Sequence, residues 1–324
     1  MANRATPVPG VSGPHQRALA LVALDILRNG PGQRIATSLQ FQEQLDVGSG
    51  TVQKALRQLV DVGAVRLRMK GHQGTLIEAY DPAILWRAAD LGPLRLVLTP
   101  PGSIESTAIA VESRRQLAMH HVSTEFDFVR GANRRIATLS DSQPRVAAMS
   151  RVAAEGYGLL GNPDYTTLDL GALSYYRPET LVVLHRPDVR KSSIRRIARD
   201  PESYDHDHLT MIEFPESAGF EYVNCAFPDV PASILAGTAD AGVWHQVVTV
   251  ITPRQAGLVS FPVHWGTQSP LESISSAVFV WRSVFSEIDS LMSLVDPDEI
   301  RVVQQRLVNL GIASPEVRET VPWL

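Results

Sequence analysis

Between Thr37 and Ile77 the apolar residues recur first at helical spacing and then at strand spacing. Phe41 and Leu45 sit on one face of a short helix capped by Thr37 or Ser38, and Asp46-Val47-Gly48 supplies a tight turn. Ser49 stands where an N-cap belongs, and Val52, Ala55, Leu56, Leu59 and Val60 form a single apolar stripe. That stripe predicts a second helix with Thr51, Gln53, Lys54, Arg57 and Gln58 on its outer face and Gly63 as its C′ stop. From Ala64 the period drops to two: Val65, Leu67 and Met69 lie on one side, Arg66, Arg68 and Lys70 on the other. Gly71-His72-Gln73-Gly74 then turns the chain into Thr75–Ile77, a hairpin. Upstream, His15–Asn29 is apolar on most sides and ends at Gly30-Pro31-Gly32, which predicts a supporting helix, and Gln33–Ile35 suits a short strand against the hairpin. Two helices about a tight turn, followed by a basic hairpin, make a winged helix-turn-helix over residues 1–80.

Residues 81–92, with Ile84, Leu85 and Trp86, read as a partly helical linker. Over 93–324 strands alternate with helices, which argues an α/β domain with mostly parallel sheets. Strands are expected at Leu94–Leu98, Ser123–Arg130, Val146–Met149 and Thr167–Leu170, with Thr180–Arg186 as the crossover into a second lobe. That lobe holds strands at Phe220–Cys225 and Ala239–Val243. Gly257–Phe261 and Ala277–Trp281 are expected to return the chain to the first lobe, and the end is helical. No repeat is visible in the sequence.

Charge sharpens this division. Residues 1–80 carry nine Lys/Arg against five Asp/Glu, whereas the whole chain has 30 against 34 and a net charge of −4, so the head is basic and the body acidic. Such an asymmetry suits a protein that touches DNA with one end. In a winged helix the second helix enters the major groove and the wing meets phosphates. Thr51, Gln53 and Lys54 are the expected base readers; Arg57, Arg66, Arg68 and Lys70 the phosphate contacts; Ser49 and His72 complete the surface. A single cysteine, Cys225, excludes an intrachain disulfide and is expected to be a buried thiol in a reducing compartment. The N-terminus lacks the apolar core of a signal peptide, and no run approaches the roughly 20 apolar residues of a membrane span, so a cytoplasmic location is expected.

The head resembles the GntR class of bacterial regulators at Phe41, Leu45, Val47, Thr51, Val52, Ala55, Leu56, Leu59, Gly63, Gly71, Gly74 and Thr75. It departs from that class at Leu39, Ser49 and Gln53, where basic residues are usual, so arginine reading of guanine is not expected there. The order of elements in the body resembles the type 2 periplasmic-binding-protein fold, two α/β lobes with a ligand between them. Taken whole, the chain resembles the YhfZ type of transcriptional regulator. That resemblance rests on Val47 to Gly63, Arg130-Gly131-Ala132, Ser150-Arg151 with Ala153-Ala154-Glu155, Leu168 to Gly171, and Asp240-Ala241 with Trp244.

Ligands of open α/β sheets lie at the carboxyl ends of the strands. Three such ends are polar here: Ser103, Ser106 and Thr107 at the first strand-to-helix turn, Arg130 at the second, Ser150 and Arg151 at the third. Two arginines, hydroxyls and a helix N-terminus suit a small anionic metabolite bearing a carboxylate or phosphate. For either arginine the alternative is an internal ion pair, for instance with Glu155 or Asp169. Tyr175 and Tyr176 near the crossover, and Asp240 and Trp244 at a second-lobe strand end, are further ligand-binding candidates. Asp205-His206-Asp207-His208 has the composition of metal ligands but reads as a solvated loop. No G-x-S-x-G elbow, P-loop or dinucleotide fingerprint occurs, so no enzyme, catalytic residue, metal or cofactor is expected. The sequence thus points to a regulator that binds double-stranded DNA, works as a homodimer and senses an anionic metabolite. The alternative is a two-lobed binding or catalytic module whose head makes protein contacts.

Overall fold

The computed structural model describes residues 13–71, 74–140, 143–247, 249, 251–264, 274–311 and 314–315. Contacts divide the chain into two compact units. One comprises residues 1–94, 114–125 and 282–295; the other comprises 95–113, 126–281 and 296–324.

The first unit is built on the winged helix-turn-helix. Helix α1 (Pro14–Asn29) buries Val22, Ala23, Ile26 and Leu27, α2 (Ser38–Leu45) adds Phe41, and α3 (Ser49–Asp61) adds Val52 and Leu59 to one core. Thr37, rather than Ser38, caps α2: its hydroxyl accepts from Gln40 N, and the Gln40 side chain answers from the backbone N–H of Thr37. The cap of α3 differs from expectation, because Gly48 is the N-cap and Ser49 the first helical residue, with no side-chain cap bond. Gly63, at φ 72°, takes the left-handed conformation that ends α3 at little steric cost. Val60 is 43% exposed, so the buried stripe ends one residue early.

Strands β1 (Val65–Met69) and β2 (Thr75–Tyr80) form the antiparallel wing, with Arg34 bridging to Leu76 as the third, minimal strand. The register slips between Arg66 and Leu67, and Met69, placed inward by simple alternation, is 86% exposed. A bulge and a tip that outruns the core account for both. Helix α4 (Pro82–Ala88) opens on an Asp81 cap and packs Leu85 and Ala89 into the core of the head.

Most residues of two five-stranded sheets lie in the second unit. The first contains β3 (Leu94–Leu98), β4 (Thr124–Phe128), β5 (Arg145–Ser150), β6 (Tyr165–Asp169) and, far along the chain, β12 (Ala277–Arg282), in the order β4-β3-β5-β12-β6. The second contains β7 (Leu181–His185), β8 (Arg196–Arg199), β9 (Glu221–Asn224), β10 (Ala241–His245) and β11 (Val259–Pro262), in the order β9-β8-β10-β7-β11. Each sheet thus places its own strands in the order second, first, third, fourth, and inserts the strand arriving from the other lobe before the fourth. The inserted strands run antiparallel, β12 to β5 and β7 to β10, so the sheets are mixed where mostly parallel ones were expected. β11 pairs with β7, so Val259–Pro262 stays in the second lobe; only β12 returns to the first.

The run Leu-Val-Val-Leu of β7 shows why such strands read as continuous apolar stretches. Leu181 and Val183 enter one buried cluster, Val182 and Leu184 another on the opposite face. The helices of the two lobes are α5 (Ile104–Met119), α6 (Ala132–Thr138), α7 (Arg151–Gly156), α8 (Tyr204–Glu213) and α9 (Val230–Leu235); α10 (Glu287–Met292) and α11 (Pro297–Leu310) follow β12. Among the described residues no helix is long and apolar enough to cross a membrane.

Candidate functional sites: a basic winged head and an interlobe cavity

On the head, Ser49, Gln53, Lys54, Arg57, Arg66, Arg68 and Lys70 are exposed and Thr51 is half-buried. The periodicity that sends Val52, Ala55 and Leu59 inward places Gln53, Lys54 and Arg57 outward along α3. Arg57 Nε donates to its own helix at Gln53 O (3.4 Å), and Arg66 Nε meets Glu78 Oε2 across the wing at 3.0 Å. With side chains 70% and 42% exposed, that pair is weak enough to open for another anion. His72 lies outside the described residues.

Both lobes of the second unit wall a cavity of about 350 Å³. The β3–α5 turn contributes Thr99 to Ser103 and Ser106, the end of β4 contributes Arg130, and α6 contributes Arg135. Tyr175 and Tyr176 come from the crossover. From the second lobe come the first turn of α8, Phe227, and Trp244 and His245 on β10.

Of the ligand candidates, Ser103, Ser106, Arg130, Tyr175, Tyr176 and Trp244 line this cavity; Thr107, Ser150, Arg151 and Asp240 do not. Ser103 Oγ accepts from Ser106 N at 3.0 Å and donates to Ser106 Oγ at 2.9 Å, so these hydroxyls chiefly cap α5. Thr107 Oγ1 turns back to Ser103 O at 2.8 Å. Ser150 caps α7 through Ala153 N and donates to Asp205 across the lobes. Arg151 is held outside by Glu155 at 3.0 Å and by Asp169, the ion-pair alternative to ligand binding. Asp240 is occupied by Arg196 at 2.7 Å and by the backbone N–H groups of Arg195 and Arg196; these bonds hold its carboxyl below the usual range against the upward pull of burial.

Arg130 also has a partner. Its Nη1 donates to Asp200 Oδ2 at 3.0 Å, from the first lobe to the second, and Asp200, 1% exposed, further accepts from Phe227 N and Glu202 N. Tyr204 gives a second link, since a Cβ on Gly156 of α7 would lie 1.9 Å from its hydroxyl. Any side chain at position 156 would therefore require Tyr204 to shift.

Arg135 was not singled out by the sequence, yet it is the cation most confined at the cavity. The residue is 2% exposed; Nη1 donates to Val129 O at 2.8 Å and Nη2 to the Tyr175 hydroxyl at 3.2 Å, while Nε has no partner. A guanidinium carries five N–H donors. Among the described residues three are therefore unused, and no carboxylate ion-pairs with it. Asp205 feels this charge, but complete burial prevails and pushes its carboxyl up, despite donated bonds from Ser150 and from Tyr176 at 3.4 Å.

The segment Asp205–His208 is the first turn of α8 and not a loop; Asp205 and His206 are buried. His206 Nδ1 accepts from Asp200 N at 3.0 Å, so Nε2 carries the proton and donates to Val243 O at 3.0 Å. Desolvation lowers its pKa and keeps the ring neutral. Among the described residues no cluster of three His, Cys, Asp or Glu is placed to hold a metal. Cys225 is half-buried rather than fully buried, and desolvation raises its thiol.

At the cavity wall, His245 Nε2 stands 3.9 Å from Glu105 Oε2, both nearly enclosed. Burial pushes Glu105 up to about 7 and His245 down to about 3, the opposite of ion-pair shifts, so each favours its neutral form. The raised carboxyl makes a pH prediction. The unfolded chain gives up this proton near the ordinary value of 4.5 and the folded chain near 7, so stability falls as pH rises between them. Glu105→Gln should leave stability almost unchanged at about pH 4 and raise it by about 3 kcal/mol at about pH 8, in paired urea titrations. An equal effect at both pH values would refute the assignment.

Residues 31–77 match a family described as a helix-turn-helix domain, and residues 81–315 match one described as the YhfZ C-terminal domain. The uncharacterized protein YhfZ of Escherichia coli (strain K12) is 25% identical over 283 residues, 86% of this chain and 89% of its own. The crystal structure of YhfZ from Shigella flexneri aligns over 71% of this chain and 95% of that one, with a TM-score of 0.55 and 23% identity. The Candida albicans CA3427 gene product, described as having the generic periplasmic binding protein structural fold, aligns over 71% of this chain and 75% of its own, with a TM-score of 0.50 and 18% identity. The fold is therefore a winged helix-turn-helix followed by a two-lobed domain like that of the periplasmic binding proteins. A helix-turn-helix ahead of such a domain supports a DNA-binding regulator.

Proposed function

Since the chain belongs to the family of the YhfZ C-terminal domain and carries a helix-turn-helix ahead of it, we propose that it is a transcriptional regulator controlled by a small anionic metabolite bound between the lobes. The observation that carries the effector half is Arg135, a buried guanidinium at the cavity with three donors free among the described residues. A buried charge without a partner is costly, and an entering carboxylate or other anion would relieve that cost. The basic outer face of α3 and the wing support duplex DNA as the other partner. Regulators of this kind act on palindromic sites as homodimers, and that is the assembly proposed here. The reading assigns no catalytic residue.

An effector changes DNA affinity only through unequal affinity for two states of the protein, and useful coupling corresponds to about 5- to 150-fold. Gel-shift titrations of the full chain on DNA from upstream of its own gene, with and without small-molecule fractions of a cell extract, test both halves. A shift of this size in one fraction is expected. Equal affinity in every fraction would remove the effector, and no binding of the duplex would remove the regulator.

A further inference from the structure

The walls of the cavity say more about the effector than its charge. Five of the lining residues, Tyr175, Tyr176, Tyr204, Phe227 and Trp244, are aromatic in a chain that is 6% aromatic. Several of their rings touch one another. Tyr176 meets Tyr175 edge-on with centroids 4.7 Å apart and meets the His245 ring at 4.8 Å; Phe227 stacks on Trp244 at 4.5 Å. Pro100, Pro101, Leu181, Leu209, Val243 and Val247 make up much of the rest. Rings prefer offset or edge-on contact with other rings, which adds to the stabilisation from the area buried.

The charges in the wall count the anions. Arg130 is already neutralised by Asp200, which leaves Arg135 as the unpaired cation among the described lining residues. Tyr175, having accepted from Arg135, still has its own proton to give to a carboxylate held there. A second carboxylate would meet Asp205, itself an acid without a cation within ion-pair distance among the described residues. The volume of about 350 Å³ lies at the small end of the usual range for ligand sites, about 300–1,000 Å³.

Resting on the proposed anion-binding cavity, we infer that the effector is a small aromatic monocarboxylate, its carboxylate on Arg135 and Tyr175 and its ring against the aromatic wall. Dicarboxylates, phosphate esters and aliphatic acids fit this wall less well. Calorimetric titration of the full chain with benzoate, benzamide, cyclohexanecarboxylate and succinate separates the elements of the claim. Benzoate should bind at least about tenfold more tightly than benzamide, the worth of one charge-assisted hydrogen bond, and about a few-fold more tightly than cyclohexanecarboxylate or succinate, which keep the carboxylate but lack the ring. Arg135→Gln should remove that advantage over benzamide, and Arg135→Lys should restore part of it, which a merely destabilised protein would not do.

If cyclohexanecarboxylate equals benzoate, the ring is wrong and the anion site stands. If succinate binds best, the single charge is wrong. If benzamide equals benzoate and Arg135→Gln changes neither, the anion site itself fails, and with it the proposed effector. No heat from benzoate up to about 10 mM, where even a millimolar site would be filled, overturns the aromatic class, while the extract fractions still decide whether an anion acts at all.

Discussion

Raising salt from about 50 to about 200 mM should weaken duplex binding by each head about 150-fold, because four phosphate contacts give a log–log slope of about −3.6. The four are Arg57 on α3 and Arg66, Arg68 and Lys70 on the wing, all exposed. The slope is set by counterions released from DNA, so it counts contacts whatever the base sequence. Arg66 must first leave Glu78, and Glu78→Gln should therefore tighten binding by a factor of a few at low salt, since an exposed pair contributes about 0–1 kcal/mol. Alanine at Arg68 and Lys70 together should flatten the slope to about −1.8. A head that serves protein contacts would show no slope at all, and a flat log–log plot would put that alternative in first place.

Asp200→Ala should cost about 3 kcal/mol of stability in urea unfolding, the largest single effect expected from a polar residue of the two-lobed domain. The side chain is 1% exposed and accepts from Arg130 Nη1 at 3.0 Å, Phe227 N at 2.8 Å and Glu202 N at 3.1 Å. Its removal strands two backbone donors and one guanidinium in the interlobe region. Arg130 is 35% exposed, so water recovers part of the loss, which places the figure at the lower end for a broken buried pair. Arg130→Ala should cost less, about 1 kcal/mol, because Asp200 keeps its two backbone donors. Equal costs for the two variants would mean that the carboxylate gains nothing from Phe227 and Glu202. The comparison also bears on function, because the pair joins the two lobes beside the cavity.

Asp205–His208 shows how a sequence reading fails without a neighbour. Four charged or titratable residues in a row look solvated, but the first turn of α8 aims two of them inward, where Ser150, Tyr176, Asp200 and Val243 satisfy them. Arg151 and Arg135 show the same from the other side. Arg151, a ligand candidate at a strand end, finds Glu155 and Asp169 instead, whereas Arg135, which the sequence did not single out, lines the cavity.

By itself the sequence determined the periods of two and 3.6 that name the basic winged head and most of the helices and strands, though not β8 (Arg196–Arg199). It also determined the polar strand ends at Ser103 and Arg130. These depend on residues within a few positions of one another, where backbone geometry alone decides which side chains share a face. Only the tertiary structure decided that β11 stays with β7, that the two sheets repeat one strand order, and that Arg135, Asp205 and His245 face one cavity. Strand partners and buried charges are chosen by packing between segments far apart in the chain, and local periodicity carries no record of which distant partner will be there.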